Sequence, residues 1–340
     1  MDIIYLEDWP TNIGNTFIHP GSLQSLKTAS PEARINVLGG LGRRLLDVMA
    51  TSGSQKVFRY YADSFSFIRN FFGKQSDGIS PNLYQKIFTQ SVKNTNNFYD
   101  LSFTLNADFV VLSGCVLSNQ LSLFSRSLKY HTEKNRKIIL NAVGGATYSK
   151  AEVEIVGNYL KELKPYAFIS RDHQSFKNYQ EFAQHSYDGI DAAYFVSDYF
   201  SPPHLNIPSY VVFCFDSQSE PKINLDCDIV RTSHYAYPFS VSRAKKIYKK
   251  NNLMVSDNPT DYLTLYGNAK ELHSDRVHAC VAALSLGKPC KLYSKTKRRL
   301  ILDRVNLGDI TKGLTVLNLE MINKEKKKQI NFLKEVLEGR

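Results

Sequence analysis

Short apolar segments recur in the first half of the chain, at residues 2–6 (DIIYL), 108–112 (DFVVL) and 137–141 (KIILN). Strands that are buried on both faces of a parallel sheet show such nearly continuous apolar runs. Each run leads into a loop that carries Gly, Ser or Asn, and then into a helix-like segment. This order of strand, loop and helix predicts a doubly wound α/β fold.

Apolar residues at helical spacing predict helices over residues 41–49 and 149–163. Ser149 stands immediately before the apolar face of the second helix and is the expected N-cap. A further strand is predicted at residues 166–169 (YAFI), directly before the segment SRDHQSF. The residues that share the apolar face of the second helix are Val153, Val156, Tyr159, Leu160 and Leu163.

The pattern breaks at residues 201–203 (SPP) and again at Pro208, which makes this region the expected linker. We therefore predict two α/β halves, residues 1–200 and 201–340, with the last helix packing back on the first half. Ligands of such sheets bind beyond the carboxyl ends of the strands, so a cleft between the halves is the expected site. The elements predicted beyond the linker are strands at 210–215 and 228–232, a basic helix at 241–250 and a last helix from about 323.

Composition indicates an ordered, cytoplasmic protein. Of the 340 residues, 43% are apolar and 22% charged, which excludes disorder for most of the chain. No apolar run approaches the length of a membrane span, and the N-terminus lacks the pattern of a signal peptide. Five scattered cysteines suit a reducing compartment and not a disulfide framework.

The formal net charge is +11, and residues 291–340 contribute 13 Lys and Arg against 6 Asp and Glu. A basic surface of this kind binds nucleic acid, an anionic membrane or an anionic substrate, or it is simply a solvated helix face. In the last helix Ile330, Leu333 and Leu337 form an apolar stripe. The stripe fits either a helix packed on the protein or a helix that contacts the inner membrane surface.

Two loops with small residues follow predicted strands. Asn12, Gly14 and Asn15 come after the first strand, where a glycine loop before a helix favours a bound anion or simply forms a turn. Ser113 and Gly114 end the second strand in the same way, and the neighbouring cysteine is expected to be a small buried filler.

Arg171 follows an apolar strand, so its guanidinium is expected at a cleft, where it can bind phosphate or carboxylate with two hydrogen bonds. Asp172 and Ser175 are spaced to cap the next helix and to orient the arginine. A purely structural pair of Arg171 and Asp172 fits equally well.

Arg276 and His278 precede a buried helix over residues 279–286, which Gly287 ends and Pro289 follows. On an extended segment these two side chains share one side, where they can hold an anion and move a proton. A histidine satisfied within the core is the alternative.

Motifs for metals and common cofactors are missing from the sequence. No Cys-x-x-Cys pair or other recognised ligand spacing occurs, nor do the glycine loops of dinucleotide or nucleotide binding or the nucleophile elbow of hydrolases. We therefore expect no metal ion and no cofactor, and chemistry that uses arginine and histidine on a charged substrate.

In their order, these motifs resemble those of the polysaccharide pyruvyl transferase family. The strongest part is DRVHACVAALSLGKP together with SRDHQS. Three residues depart from the family pattern: Asn15 stands where Asp is usual, Cys115 replaces a Gly and Ala192 replaces a Pro. The segments that carry the resemblance are residues 12–15, 113–115, 143–145, 171–175, 191–193 and 276–289.

The resemblance implies a GT-B-like fold, with two Rossmann-like domains that face each other across a cleft. It also implies transfer of the pyruvyl group of phosphoenolpyruvate to two hydroxyls of a sugar in a cell-surface polysaccharide or its lipid-linked precursor. The donor site would contain Arg171, Arg276, His278, Ser175 and Lys297, with His278 as the acid and base.

On the acceptor side, the resemblance points to the loops of Asn12, Gly14, Asn15, Ser113 and Gly114. Asp172 would support Arg171, and no nucleic acid is expected as a partner. Two alternatives remain open: a GT-B glycosyltransferase with a nucleotide-sugar donor, and a protein that binds an anionic polymer without turnover.

Overall fold

The computed structural model describes residues 1–7, 12–39, 81–94, 98–234 and 247–339. The chain forms two compact units, and it crosses between them several times. The first unit comprises Met1–Trp9, Ala33–Ile169 and Gln174–Ser186; the second comprises Pro10–Glu32, Ser170–His173 and Tyr187–Arg340. This partition differs from the single boundary that we predicted near residue 200. The difference arises because two early segments pack with C-terminal elements, and local composition carries no sign of such contacts.

A six-stranded sheet has the order β2-β1-β3-β4-β5-β6, in which β1 pairs in parallel with β2 and β3, and β3 with β4. All four strands predicted in this part of the chain are present. Their apolar runs form the centre of the first core, in which Ile4, Val110 and Leu140 are fully buried. The strands are β1 (Asp2–Glu7), β2 (Arg34–Gly39), β3 (Phe109–Leu117), β4 (Lys137–Gly145), β5 (Ala167–Ser170) and β6 (His185–Asp188).

The predicted turn at Ser113 and Gly114 is wrong, because β3 continues through both residues to Leu117. Gly114 has a φ of 92°, and the register with β4 shifts at this residue. A bulge at a glycine re-aims the strand without ending it. The neighbouring Cys115 is buried, as expected, and its thiol donates to the carbonyl oxygen of Gly145.

A five-stranded sheet in the second unit has the order β11-β10-β7-β8-β9, and all of its adjacent pairs are parallel. Both strands predicted after the linker are confirmed. The strands are β7 (Tyr210–Cys214), β8 (Asp228–Thr232), β9 (Leu253–Met254), β10 (Leu272–Ser274) and β11 (Cys290–Leu292). The α/β class with parallel sheets is therefore confirmed.

The helix that we predicted over residues 149–163 is α4, and Ser149 caps it by accepting a hydrogen bond from the backbone N–H of Glu152. The helix predicted at residues 41–49 lies outside the described residues, as does most of the one at 241–250. The described helices are α1 (Asn15–Ala29), α2 (Pro81–Asn94), α3 (Leu121–Glu133), α4 (Lys150–Leu163), α5 (His173–Tyr179), α6 (Val196–Tyr199), α7 (Pro259–Asn268), α8 (Val277–Ser285), α9 (Leu300–Asp303) and α10 (Leu319–Glu338).

The last helix, α10, packs against α1 within the second unit. Leu333 and Leu337, two of the three residues of its predicted apolar stripe, are buried there. Gln329 accepts a hydrogen bond from the backbone N–H of Ile190 at 2.8 Å. The stripe is therefore used for packing inside the unit. Within the described part of the chain, no helix has the length and apolar character needed to cross a membrane.

Candidate functional site

Polar residues follow three neighbouring strands of the second sheet at their carboxyl ends. Asp216 comes just after β7, Ser233 and His234 follow β8 directly, and Arg276 lies two residues after β10. The three strands are adjacent in the order β10, β7, β8. Because ligands of parallel sheets bind at this edge, the loops mark the candidate site.

Arg276 is held in place by Asp216. Its Nε atom lies 3.4 Å from Asp216 Oδ2, and its side chain is 17% exposed, whereas that of Asp216 is fully buried. The hydroxyl of Ser233 donates to Asp216 Oδ1 at 2.6 Å. Burial raises the pKa of Asp216, and the charge of Arg276 and the hydrogen bond from Ser233 oppose this rise. The arginine is therefore fixed, with part of its side chain open to solvent.

His278 is the second residue of helix α8, so the prediction that it shares an extended segment with Arg276 is wrong. The backbone is extended at Arg276, with φ −107° and ψ 117°, and the helix begins at the next residue. The helix starts earlier than we expected because Val277 already belongs to its buried face. His278 itself is 8% exposed.

The ring of His278 faces a carboxylate, since its Nε2 atom lies 3.5 Å from Asp191 Oδ2. Burial lowers the pKa of His278; Asp191 opposes this effect, and Arg171 and Arg298 add to it. The imidazole is therefore neutral near pH 7. The nearby carboxylate favours the tautomer with the proton on Nε2, although 3.5 Å is too long for a full hydrogen bond, and in that tautomer Nδ1 is a proton acceptor.

Arg171 is completely buried between two buried carboxylates. Its Nη1 atom lies 3.6 Å from Asp191 Oδ2, and its Nε atom lies 3.8 Å from Asp172 Oδ2. Burial raises the pKa of Asp191, but the contacts with His278 and Arg171 outweigh it, so the pKa is lowered overall. The predicted approach of Arg171 to Asp172 is present, and Asp191 is a partner that we did not predict.

The loop before α1 lies against His278. The side chain of Asn12 accepts a hydrogen bond from the backbone N–H of Gly14 at 2.9 Å, and Asn15 is the first residue of the helix. A Cβ atom added at Gly14 would lie 3.0 Å from His278 Cβ and 3.3 Å from its Nδ1. The loop therefore approaches the imidazole so closely that a side chain at residue 14 would displace the ring. Asn15 itself is half-buried.

His234 is a fully buried histidine that the sequence did not single out. Its Nε2 atom lies 2.6 Å from the hydroxyl of Tyr266, and Nδ1 has no hydrogen-bond partner among the described residues. Burial, Arg276 and His278 lower its pKa well below the usual value. His234 is thus close enough to Arg276 and His278 for their charges to affect its pKa. The feature of the sequence that could have identified it is its position directly after a strand.

Two further predicted site residues belong to the first unit, and Lys297 belongs to the second. Ser113 and Ser175 belong to the first unit, where Ser113 Oγ is 2.8 Å from the hydroxyl of Tyr5 and Ser175 Oγ is 3.4 Å from the amide nitrogen of Gly145. Lys297 is exposed in a short turn of the second unit.

The residue next to Lys297, Arg298, is half-buried and close enough to His278 to lower its pKa. Among the described residues no carboxylate pairs with Arg298, and in this it differs from Arg171 and Arg276, each of which has an aspartate nearby. The site thus combines a neutral proton acceptor with arginines, a set suited to an anionic substrate. Groups of three or more metal-ligating side chains do not occur in the described ranges.

A family model described as polysaccharide pyruvyl transferase matches residues 12–291, which is most of the chain. The match spans all the site residues named above except Lys297 and Arg298. Among curated proteins, none matches the chain significantly in sequence.

Solved structures with a similar fold include one from Listeria monocytogenes, named as a UDP-N-acetylglucosamine 2-epimerase. It has a TM-score of 0.51 and 10% identity, with 98% of this chain and 90% of that chain covered. The UDP-GlcNAc 2-epimerase of Methanocaldococcus jannaschii aligns with a TM-score of 0.48 and 12% identity, over 97% of this chain and 93% of that one. The likeness to the Listeria monocytogenes structure, together with the two parallel sheets, confirms the GT-B-like fold with Rossmann-like domains.

Proposed function

The chain belongs to the polysaccharide pyruvyl transferase family, and from this premise we propose that it transfers the pyruvyl group of phosphoenolpyruvate to two hydroxyls of one sugar. The products are a cyclic ketal and inorganic phosphate. One observation carries the proposal: at the start of a helix, His278 lies with its Nε2 atom 3.5 Å from Oδ2 of the buried Asp191, two residues after the partly exposed Arg276.

The donor carries a phosphate and a carboxylate, so its site needs cationic side chains that solvent can reach. Arg276 and Arg298 meet this condition, and the exposed Lys297 adds positive charge next to Arg298 in the chain. The sequence also assigned Arg171 to the donor. Its complete burial between Asp172 and Asp191 favours a supporting role, in which it holds Asp191 against His278.

Proton transfer begins at the neutral imidazole. His278 Nδ1 takes the proton of the attacking sugar hydroxyl as its oxygen bonds to C2 of the donor. The imidazolium, stabilised by Asp191, relays that proton to C3 as the new C2–O bond forms, so that C3 becomes a methyl group and no carbanion is left there. Such general acid and base catalysis contributes roughly 10²- to 10⁴-fold in rate.

Phosphate leaves in the second stage as its C2–O bond breaks, and the second hydroxyl then bonds to C2. His278 or the departing phosphate takes the second hydroxyl proton, which balances the reaction. The arginines stabilise the charge that the leaving phosphate carries away. These steps require no group beyond the two substrates and the side chains of the chain.

The acceptor in this proposal approaches along the loop of Asn12 and Gly14, because that loop lies directly against His278. We further propose a cytoplasmic reaction on a cell-surface polysaccharide or its lipid-linked precursor. All five cysteines are free thiols, which supports a reducing compartment.

The proposal is tested by incubating the protein with phosphoenolpyruvate and a panel of p-nitrophenyl hexosides. We expect phosphate release that depends on the sugar, and a product whose mass increases by one pyruvate less one water. His278→Gln and Arg276→Gln are expected to lower the rate by roughly 10²-fold or more. The matched control is His204→Gln, at an exposed histidine. Consumption of UDP-sugars alone would show that the proposal is wrong.

A further inference from the structure

In the loop between β4 and α4, consecutive backbone N–H groups converge on a buried carboxylate. The N–H groups of Ala146, Thr147 and Tyr148 donate to Glu152 at 2.9 to 3.2 Å, and the hydroxyl of Thr147 donates at 3.0 Å. Glu152 is fully buried. The loop fits closely, because a Cβ atom added at Gly145 would lie 2.8 Å from Glu152 Oε1.

The second unit repeats this arrangement in the loop after β7. The backbone N–H groups of Asp216, Ser217 and Gln218 donate to the carboxylate of Asp275 at 3.1, 2.7 and 2.8 Å. Asp275 is 7% exposed. In both sheets, therefore, a loop at the carboxyl end of a strand wraps three successive amides around a carboxylate of the same chain.

Successive amides of this kind form the backbone site that binds phosphate in nucleotide-binding proteins, at the same edge of a parallel sheet. We propose that Glu152 and Asp275 are built-in anions that occupy both loops and so exclude the phosphates of a nucleotide donor. A phosphate group that entered either loop would have to compete for these N–H groups with a carboxylate. That carboxylate is also negatively charged and is held in place because it belongs to the chain.

An ordinary helix cap does not account for the first loop. Ser149 and Glu152 have the spacing of a capping box, in which the glutamate would accept from the N–H of the cap residue itself. Glu152 instead accepts from the three residues before Ser149, while the N–H of Ser149 donates to the hydroxyl of Thr147. The carboxylate is therefore placed where an external anion would be.

The consequence for the donor rests on the proposed function. Because Glu152 and Asp275 occupy both backbone sites, the phosphate of the donor is bound by the side chains of Arg276 and Arg298. Two arginines suit a small phosphorylated acid better than a nucleoside diphosphate, which needs two adjacent phosphate sites. Glu152 and Asp275 are thus specificity-determining residues.

Removing the built-in anion tests the proposal without any assay of activity. We expect Glu152→Ala to lower the unfolding temperature by about 5–10 °C, and sodium acetate or phosphate to restore part of this loss in a saturable way. Sodium chloride at equal ionic strength should not restore it. The matched control is Ile155→Ala, which removes buried volume from the same helix without opening the loop. Equal rescue of both variants, or no rescue of Glu152→Ala, would overturn the proposal.

Two measurements on the unaltered protein decide the question if Glu152→Ala fails to fold. Hydrogen exchange should show the amides of residues 146–148 and 216–218 to be protected. Fast exchange there would contradict the claim that Glu152 and Asp275 occupy the two loops. Calorimetry with UDP should detect no binding at millimolar concentration, whereas saturable UDP binding would overturn the exclusion. Because neither readout depends on turnover, the inference and the proposed function fail separately.

Discussion

At the scale of single residues, the protonation of His278 is set by neighbours with opposing effects. Burial, Arg171 and Arg298 favour the neutral ring, and Asp191 favours the charged one. The balance gives an imidazole that is neutral before the reaction and has a carboxylate ready to stabilise the imidazolium. This is the condition that a group needs if it is to act first as a base and then as an acid.

Asp191→Asn tests this balance. Because Asp191 raises the pKa of His278, its loss lowers that pKa further, so the acidic limb of kcat/KM should move to lower pH. The plateau rate should fall about 10²-fold as stabilisation of the imidazolium is lost. The measurement is a pH–rate profile, with Asp309→Asn, at an exposed ion pair, as the control. An unchanged acidic limb would show that Asp191 acts on folding alone.

Gly14→Ala tests the contact between the first loop and the imidazole. The added methyl group would lie 3.0 Å from His278 Cβ, so the ring must shift by a few tenths of an ångström. We expect kcat to fall about 10-fold or more, with a change in unfolding temperature of only a few degrees. Gly39→Ala, where no atom lies within 4 Å of the added carbon, should leave kcat unchanged.

The sequence revealed those site residues that stand beside apolar runs. Arg171, Arg276 and His278 were predicted because each adjoins a buried strand or helix, where a cationic side chain is unusual. Asp191 and His234 were missed as site residues, because their partners are distant in the sequence. Asp191 did lie in residues 191–193, one of the segments that resemble the family, and this resemblance could have identified it.

At the scale of elements, the predicted strands and helices that fall within the described residues followed their apolar patterns, and the differences arose at glycines and helix starts. Strand β3 continues through Gly114 because a bulge keeps the chain extended where the sequence indicated a turn. Helix α8 starts at Val277, two residues before its predicted start. Local signals locate an element well, but they do not separate a bulge from a turn or an extended residue from the first turn of a helix.

Gly114→Ala tests the bulge in β3. A φ of 92° lies in the region that side chains with a Cβ atom disfavour, so we expect a loss of about 1–2 kcal/mol in the free energy of unfolding. The measurement is urea unfolding. Gly39→Ala, in strand β2 and with space around it, is again the control. Equal stability of the two variants would argue against the bulge geometry.

At the scale of the whole molecule, the partition into two units was the least predictable feature. Residues 10–32 and 170–173 belong to the second unit, although each is continuous with a strand of the first sheet. These segments supply the loop of Gly14, which lies against His278, and the buried Arg171, which lies beside Asp191, the carboxylate next to the imidazole. The candidate site therefore assembles from segments that are far apart in the chain, and no local pattern predicts that assembly.

Buried neutral histidines make the stability of the whole molecule sensitive to acid. Burial, with the charge of Arg136, lowers the pKa of His131 to about 4, although Asp100 opposes this. The pKa values of His234 and His278 are also lowered. As pH falls through about 6.5, the unfolded chain takes up a proton at each of these histidines. The folded chain resists uptake at His131 and His234, and at His278 to the extent that its pKa is lowered.

The free energy of unfolding should therefore decrease below about pH 6.5, by about 1.4 kcal/mol per pH unit for each histidine that is still neutral in the folded chain. Urea unfolding between pH 8 and pH 5 measures the slope. In His131→Gln the slope should be smaller by the contribution of one proton, about 1.4 kcal/mol per pH unit. In His204→Gln, at an exposed position, the slope should be unchanged. Stability that is independent of pH in this range would contradict the burial of these rings in neutral form.

Calorimetric titration with phosphoenolpyruvate tests the central claim most directly, because it needs no knowledge of the sugar acceptor. We expect saturable binding at one site per chain. The affinity should fall about 10- to 100-fold in Arg276→Gln and Arg298→Gln, since each removes a charge-assisted hydrogen bond to the donor. It should be unchanged in Lys312→Gln, at an exposed lysine. Absence of binding, or binding that is indifferent to both arginines, would contradict the account.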